Sequence, residues 1–188
     1  MRQKLFAILS VLVVASLTFT AAFADTIHFR GRISFGLGSL FAEGYIDVLP
    51  DKDVKVVLVA SGKPTVMCVN TDDDDDEVTQ IPATNPPRVT GIGSVTLFHP
   101  FAGSSSFFHV ETNNPTLTAA QAGCPSGEHW KANVTFVAWD TANITVKDAA
   151  TNAKLLAQDF KCTTVIGSVD CRPKKSHGGD DDDHRKHS

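Results

Sequence analysis

The chain has 188 residues, 42% of them hydrophobic and 20% charged, and its 17 Lys and Arg against 21 Asp and Glu leave a formal charge of −4. That length accommodates one domain with a core of its own. The lack of a basic excess argues against nucleic acid as a partner, because phosphate recognition needs a positive face.

Residues 1–24, MRQKLFAILSVLVVASLTFTAAFA, carry the layout of a secretory signal. Arg2 and Lys4 form the charged start and residues 5–17 the apolar stretch. Ala22-Phe23-Ala24 is a small-x-small site that places the cut between Ala24 and Asp25. The apolar stretch is short for a bilayer span and runs into Thr18 and Thr20, so no membrane insertion is expected. No cysteine stands near the cut and no apolar tail follows the domain, so no lipid or sorting anchor is expected. The mature chain is expected outside the cytoplasm, secreted or periplasmic. Losing Arg2 and Lys4 takes its formal charge from −4 to −6. Residues 72–77 carry that excess by themselves, so the imbalance sits in one loop.

Alternation of apolar and polar residues, rather than a helical repeat, organises residues 25–172. TIHFRGRIS turns Ile27, Phe29 and Ile33 to one side. DVKVVLVA reads as a buried strand rich in β-branched residues, and PTVMCVN as a shorter one. Residues 71–87 form a long connection holding the acidic run and three prolines. In RVTGIGSVTLF, Gly91 and Gly93 mark a bulge or a close backbone approach. SFFHVET follows, then TLTAAQAG, a helical turn ended by Gly123. ANVTFVAWD is expected to turn at Asp140-Thr141-Ala142 into NITVKD, and KLLAQDFKC returns after residues 150–152. Eight or nine short strands with polar turns predict an all-β fold, roughly of the size set by such patterning. The form expected is a two-sheet antiparallel sandwich, immunoglobulin-like and stapled by disulfides, with a barrel as the alternative. Residues 173–188, PKKSHGGDDDDHRKHS, offer nothing to a core and are expected to be a disordered tail.

All four cysteines, Cys68, Cys124, Cys162 and Cys171, follow the cut, and an even count in an exported chain favours two disulfides over a zinc site. Of three pairings, Cys162 with Cys171 around Gly167 and Cys68 with Cys124 across the fold are preferred.

The stretch from Cys124 to Cys162 carries a family likeness. Cys124-Pro125, Trp130, the Ile144-Thr145-Val146 strand and Gln158-x-Phe160-x-Cys162 resemble uncharacterised small secreted bacterial β-rich proteins. GKPTVMCVN before a polar, proline-containing loop shares the resemblance. It implies an exported β-rich fold and no activity. The aspartate run departs from it, since such proteins carry Asn, Gly and Pro there.

Candidate metal ligands are Asp72, Asp74 and Asp76 in the loop and Asp180, Asp182 and His184 in the tail. An EF-hand counted from Asp72 fails, because positions six and twelve hold Glu77 and Ala83 instead of Gly and Glu. What remains is loose Ca²⁺ association of roughly millimolar strength, or Zn²⁺ at the tail against its ordering entropy; no other cofactor is expected. The chain has no G-x-S-x-G, H-E-x-x-H or P-loop, and its G-x-G pairs lack the third glycine, so no enzyme is expected. Among the aromatics, parity puts Phe136 in the core and leaves Trp139 half exposed, while Phe107 and Phe108 point opposite ways. Tyr45, Trp139 and Phe108 are the candidates for a ligand-binding patch. The resulting expectation is a non-catalytic secreted module that binds an extracellular ligand or surface, with residues 71–87 as a contact loop. The alternatives are a divalent-cation binder using the aspartate runs and a hydrolase.

Overall fold

The computed structural model describes residues 26–71 and 79–174. The signal segment, Asp72, Asp74 and Asp76, and the tail residues Asp180, Asp182 and His184 lie outside the described residues. Nine strands and one helical turn follow in order: β1 (His28–Gly36), β2 (Phe41–Asp47), β3 (Val54–Asn70), β4 (Gln80–Pro82), β5 (Val89–Leu97), β6 (Ser106–Glu111), α1 (Ala119–Ala122), β7 (Trp130–Asp148), β8 (Lys154–Val165) and β9 (Ser168–Pro173). They form two antiparallel sheets. The smaller has the order β1-β2-β6; the larger has the order β4-β3-β7-β8-β9, with β5 also beside β3.

Alternation builds β3. Val54, Val56, Leu58, Ala60, Val66 and Cys68 send every second side chain inward over 17 residues, and β-branched residues suit such a half-buried pleat. The segments expected as two strands are therefore one, since Gly62 and Pro64 continue the same buried parity. β7 is likewise a single strand of 19 residues and not the hairpin expected at residues 140–142. It pairs with β3 from Asn70↔Trp130 to Val54↔Asp148, which leaves no room for a turn. The register slips by one residue at Thr135 and again at Asp140. Each bulge reverses the parity of what faces inward. Ala142, Ile144 and Val146 are buried at even positions, Val137 and Trp139 at odd ones. Arg88 holds the second bulge from outside, with Nη2 2.5 Å from Asp140 Oδ1.

The core lies between the sheets. Leu40, Ile46 and Phe108 of the small-sheet side share one cluster with Leu58, Trp139 and Ile144 of the large sheet. Phe35 and Phe160 meet edge-on across the gap at 5.0 Å. Both flanks of the sandwich are drawn together. On one, Gly93 of β5 lies so close to β6 that a Cβ there would collide with the Glu111 carbonyl, which is the close approach its spacing suggested. Asn113 then bridges the strands, its N–H donating to Ile92 O and its Oδ1 accepting from Ile92 N. On the other flank, Arg32 of β1 reaches Asp170 of β9 at 2.7 Å.

The disulfides join Cys68 to Cys124 and Cys162 to Cys171. They agree with an oxidising compartment. Among the described residues no helix is long and apolar enough to cross a membrane. Helix α1 is fixed at both ends: Thr118 and Gln121 form a capping box, and Gly123 closes the turn at φ 75°. Two expected boundaries move. Residues 80–82 of the long connection are strand, with Cys68 opposite Ile81 and the Ala83 N–H donating to Val66 O. Pro173 and Lys174, expected in the tail, belong to the large sheet: Pro173 faces Phe160, and Lys174 N–H donates to Asp159 O.

Asp148 is the one buried carboxylate among the described residues. It ends β7, pairs with Lys52, and accepts from the N–H groups of Ala150 and Thr151, which shapes the turn into β8. The Lys52 ammonium and then the Thr151 N–H hold its carboxyl well below the usual carboxylate range, against the opposing effect of burial. A carboxyl depressed on folding adds stability above its unfolded pKa of about 4, and that stability is lost as pH falls below it. Denaturation midpoints are expected to drop between neutral pH and about pH 3, and Asp148→Asn is expected to flatten that acid limb. Parallel acid limbs for the two proteins would contradict this role.

Candidate functional site

The outward face of the small sheet holds four ring side chains, Phe41, Tyr45, Phe107 and His109. In β2, Ala42, Gly44 and Ile46 point to the core, so Phe41, Glu43, Tyr45 and Asp47 point out. In β6, Phe108 and Val110 point in, so Phe107, His109 and Glu111 point out. The register lays these residues side by side: Tyr45 opposite Phe107, Glu43 opposite His109, Phe41 opposite Glu111.

Two ring pairs result. Tyr45 and Phe107 meet edge to face at 5.4 Å, and each is 49% exposed. Phe41 stacks on His109 at 5.2 Å, its ring lying over Gly36 of β1, where any Cβ would collide with it. The pairs are four residues apart along β2, roughly 13 Å at the usual rise. Charged groups surround the rings. Glu43 lies 3.4 Å from His109 Nδ1, and Asp47 faces Arg30 Nε at 3.5 Å and His28 Nε2 at 3.8 Å. Arg30 in turn sits opposite Tyr45 in the β1–β2 register. Ser39 bonds to Glu111 at the far corner. Sheets hold side chains at fixed spacing, so this face is a rigid platform of rings with hydrogen-bonding groups between them.

Of the three aromatic candidates, the structure keeps only Tyr45 on the surface. Trp139 and Phe108 are each 1% exposed and belong to the core. The bulge at Asp140 turns Trp139 inward, and the pleat turns Phe108 inward while placing Phe107 outside. Phe41 and His109 complete the face without having been expected there. The signal for them is the spacing of Phe41 and Tyr45, four apart, opposite Phe107 and His109.

Two more exposed rings, Phe98 and Phe101, occupy the connection from β5 to β6 at the Tyr45–Phe107 end of the sheet. Leu49 pins that connection by donating its N–H to Ser104 O and accepting from Gly103 N–H. His99, between Phe98 and Phe101 in sequence, has φ 44°, and its N–H donates to Asp53 Oδ1. β3 runs from this end for 17 residues, roughly 50 Å at the usual rise, and the acidic run after it lies outside the described residues. Among the described residues no three His, Cys, Asp or Glu side chains cluster as metal ligands. No protein-family model, no curated protein and no solved structure matches this chain.

Proposed function

We propose that this chain is an exported, non-catalytic binding module, cut after Ala24, that holds a polyhydroxylated extracellular polymer against the outward face of its small sheet. The observation that carries this reading is the Tyr45–Phe107 pair beside the Phe41–His109 pair. A sugar ring has an apolar C–H face and a rim of hydroxyls. Exposed rings suit the first, and the carboxylates of Glu43 and Asp47 with the Arg30 guanidinium suit the second. The strand order supports an immunoglobulin-like build: β1, β2 and β6 fall where strands A, B and E stand, and β3, β7 and β8 where C, F and G stand. In that reading β9 is an added edge strand. The signal layout and both disulfides support a place outside the cytoplasm, at a cell surface or in a matrix.

The test is retention on immobilised bacterial cell-wall and capsular polysaccharides and on a glycan array. The wild-type chain is expected to bind a subset of these, and Tyr45→Ala with Phe107→Ala to lose about tenfold or more in affinity, as central aromatic contacts do. Both side chains are half exposed, so thermal stability is expected to shift little. Equal binding by the two proteins would sink the assignment of this face.

A further inference from the structure

Among the described residues, strand β7 has one edge that no strand covers over its first half. The Thr71 N–H donates to His129 O, so at this end odd-numbered residues of β7 turn their backbone groups toward β3. Trp130, Ala132 and Val134 therefore turn theirs the other way. Past the bulge at Thr135 the parity reverses, and Val137 joins them. Strand β8 takes up this edge only from Thr141 onward, where Thr141 faces Lys161, while Thr164 Oγ1 caps the Trp139 carbonyl at 2.8 Å. Among the described residues, nothing pairs with the edge between residues 130 and 137.

That edge lines a groove of about 670 Å³. One wall is the turn between β1 and β2, with Leu37 and Ser39; the other is the segment of Asn114, Pro115 and Thr116. The floor is six consecutive residues, 132–137. Side chains of a strand alternate between faces, so six residues in a row line a cavity only when the strand is seen edge-on. No charged side chain lines the groove, and Phe136, 40% exposed, lies within it. Natural sheet edges are usually guarded by charge or proline. Here residues 130–138, WKANVTFVA, offer one lysine and no proline.

We propose that this groove is a strand-addition site, in which an extended, uncharged polypeptide segment of a partner pairs with the free edge of β7. The row of backbone donors and acceptors specifies the occupant, because only another extended peptide backbone presents the matching row at strand spacing. Charged side chains on that peptide would find no counter-charge in the groove. A second folded copy fits poorly, since it would bring its own 37–39 turn and 114–116 segment to the same place. The site touches the aromatic face only at Ser39 and does not depend on its ring pairs.

Random heptapeptides displayed on phage and selected on residues 25–188 supply the probe, and the selected peptide is then synthesised and titrated by calorimetry. Uncharged, alternating sequences are expected. N-methylation of every second amide in the peptide is expected to weaken binding by about fivefold to tenfold per amide, and methylation of the intervening ones to leave it unchanged. Ala132→Pro removes an edge donor without touching the β3 ladder and is expected to weaken binding similarly. If that variant fails to fold, the methylation pattern decides alone. Tyr45→Ala with Phe107→Ala is expected to keep full peptide affinity. The proposal is overturned by a selection that returns no binder, by methylation losses without alternation, or by a folded Ala132→Pro that binds normally. Dimerisation of the wild type that Ala132→Pro abolishes would also overturn it, by giving the edge to a second copy.

Discussion

Replacing Trp139 with alanine is expected to destabilise the protein by about 3–5 kcal/mol, the range for emptying a large aromatic site in a core. Trp139 heads the fully buried side chains by volume. The chain has made room for it with small residues: a Cβ on Gly91 would lie 3.0 Å from its ring, and one on Gly62 2.9 Å from its Cα. Such a fitted site collapses poorly when emptied, which places the loss in the upper part of the range. Phe136→Ala gives the contrast. Simple alternation puts that ring in the core, but it is 40% exposed, and its truncation is expected to cost about 1 kcal/mol or less. Urea denaturation of both variants measures the difference. A larger loss at Phe136 than at Trp139 would mean that the two bulges in β7 are misplaced.

Those bulges mark where the sequence stops being readable. β3 keeps one parity over its whole length, so its inward residues follow directly from VKVVLVA and TVMCV. β7 changes parity twice, and nothing in ANVTFVAWDTANITVKD announces an unpaired residue at Thr135 or Asp140. The extra residue is defined only against β3, a partner about 70 to 80 positions away at the two bulges. β2 hides for a different reason. Its inward positions include Ala42 and Gly44, which contribute little apolar signal, so FAEGYID gives no clear strand pattern although it carries half of the aromatic face. Local chemistry fared better. Gly123 ends α1 and Gly93 marks a close approach, because a glycine at a turn or a tight spot is a local signal; the preferred cysteine pairing is also the one formed, with one bond local and the other joining residues 56 positions apart. The aromatic face needs the register between β2 and β6, and the β7 groove needs to know where β8 begins. Neither is a local property.

The same distinction between local and long-range ties separates the two disulfides. Removing Cys68–Cys124 as a pair of alanines is expected to cost about 4 kcal/mol, and removing Cys162–Cys171 about 3 kcal/mol or less. The first closes a loop with a sequence separation of 56, the second a loop with a separation of 9, so the unfolded chain gains more freedom from losing the first. The folded state widens the gap. Cys162 and Cys171 already face each other in the β8–β9 hairpin, whose ladder runs from Phe160↔Pro173 to Val165↔Ser168 and holds them without the bond. Cys124 has no such ladder. It follows the four-residue helix α1, and its bond to the fully buried Cys68 fastens that helix and the connection into β7 against the end of β3. Chemical denaturation of the two double variants, with the thiol-free protein as reference, is expected to place the Cys68–Cys124 variant lower in midpoint. Domains of this kind hold only about 5–15 kcal/mol in all, so partial unfolding at 37 °C is a reasonable outcome for that variant alone. The reverse order of midpoints would mean that α1 is held chiefly by its capping box and by Thr84, whose Oγ1 donates to Gly123 O, and not by sulfur.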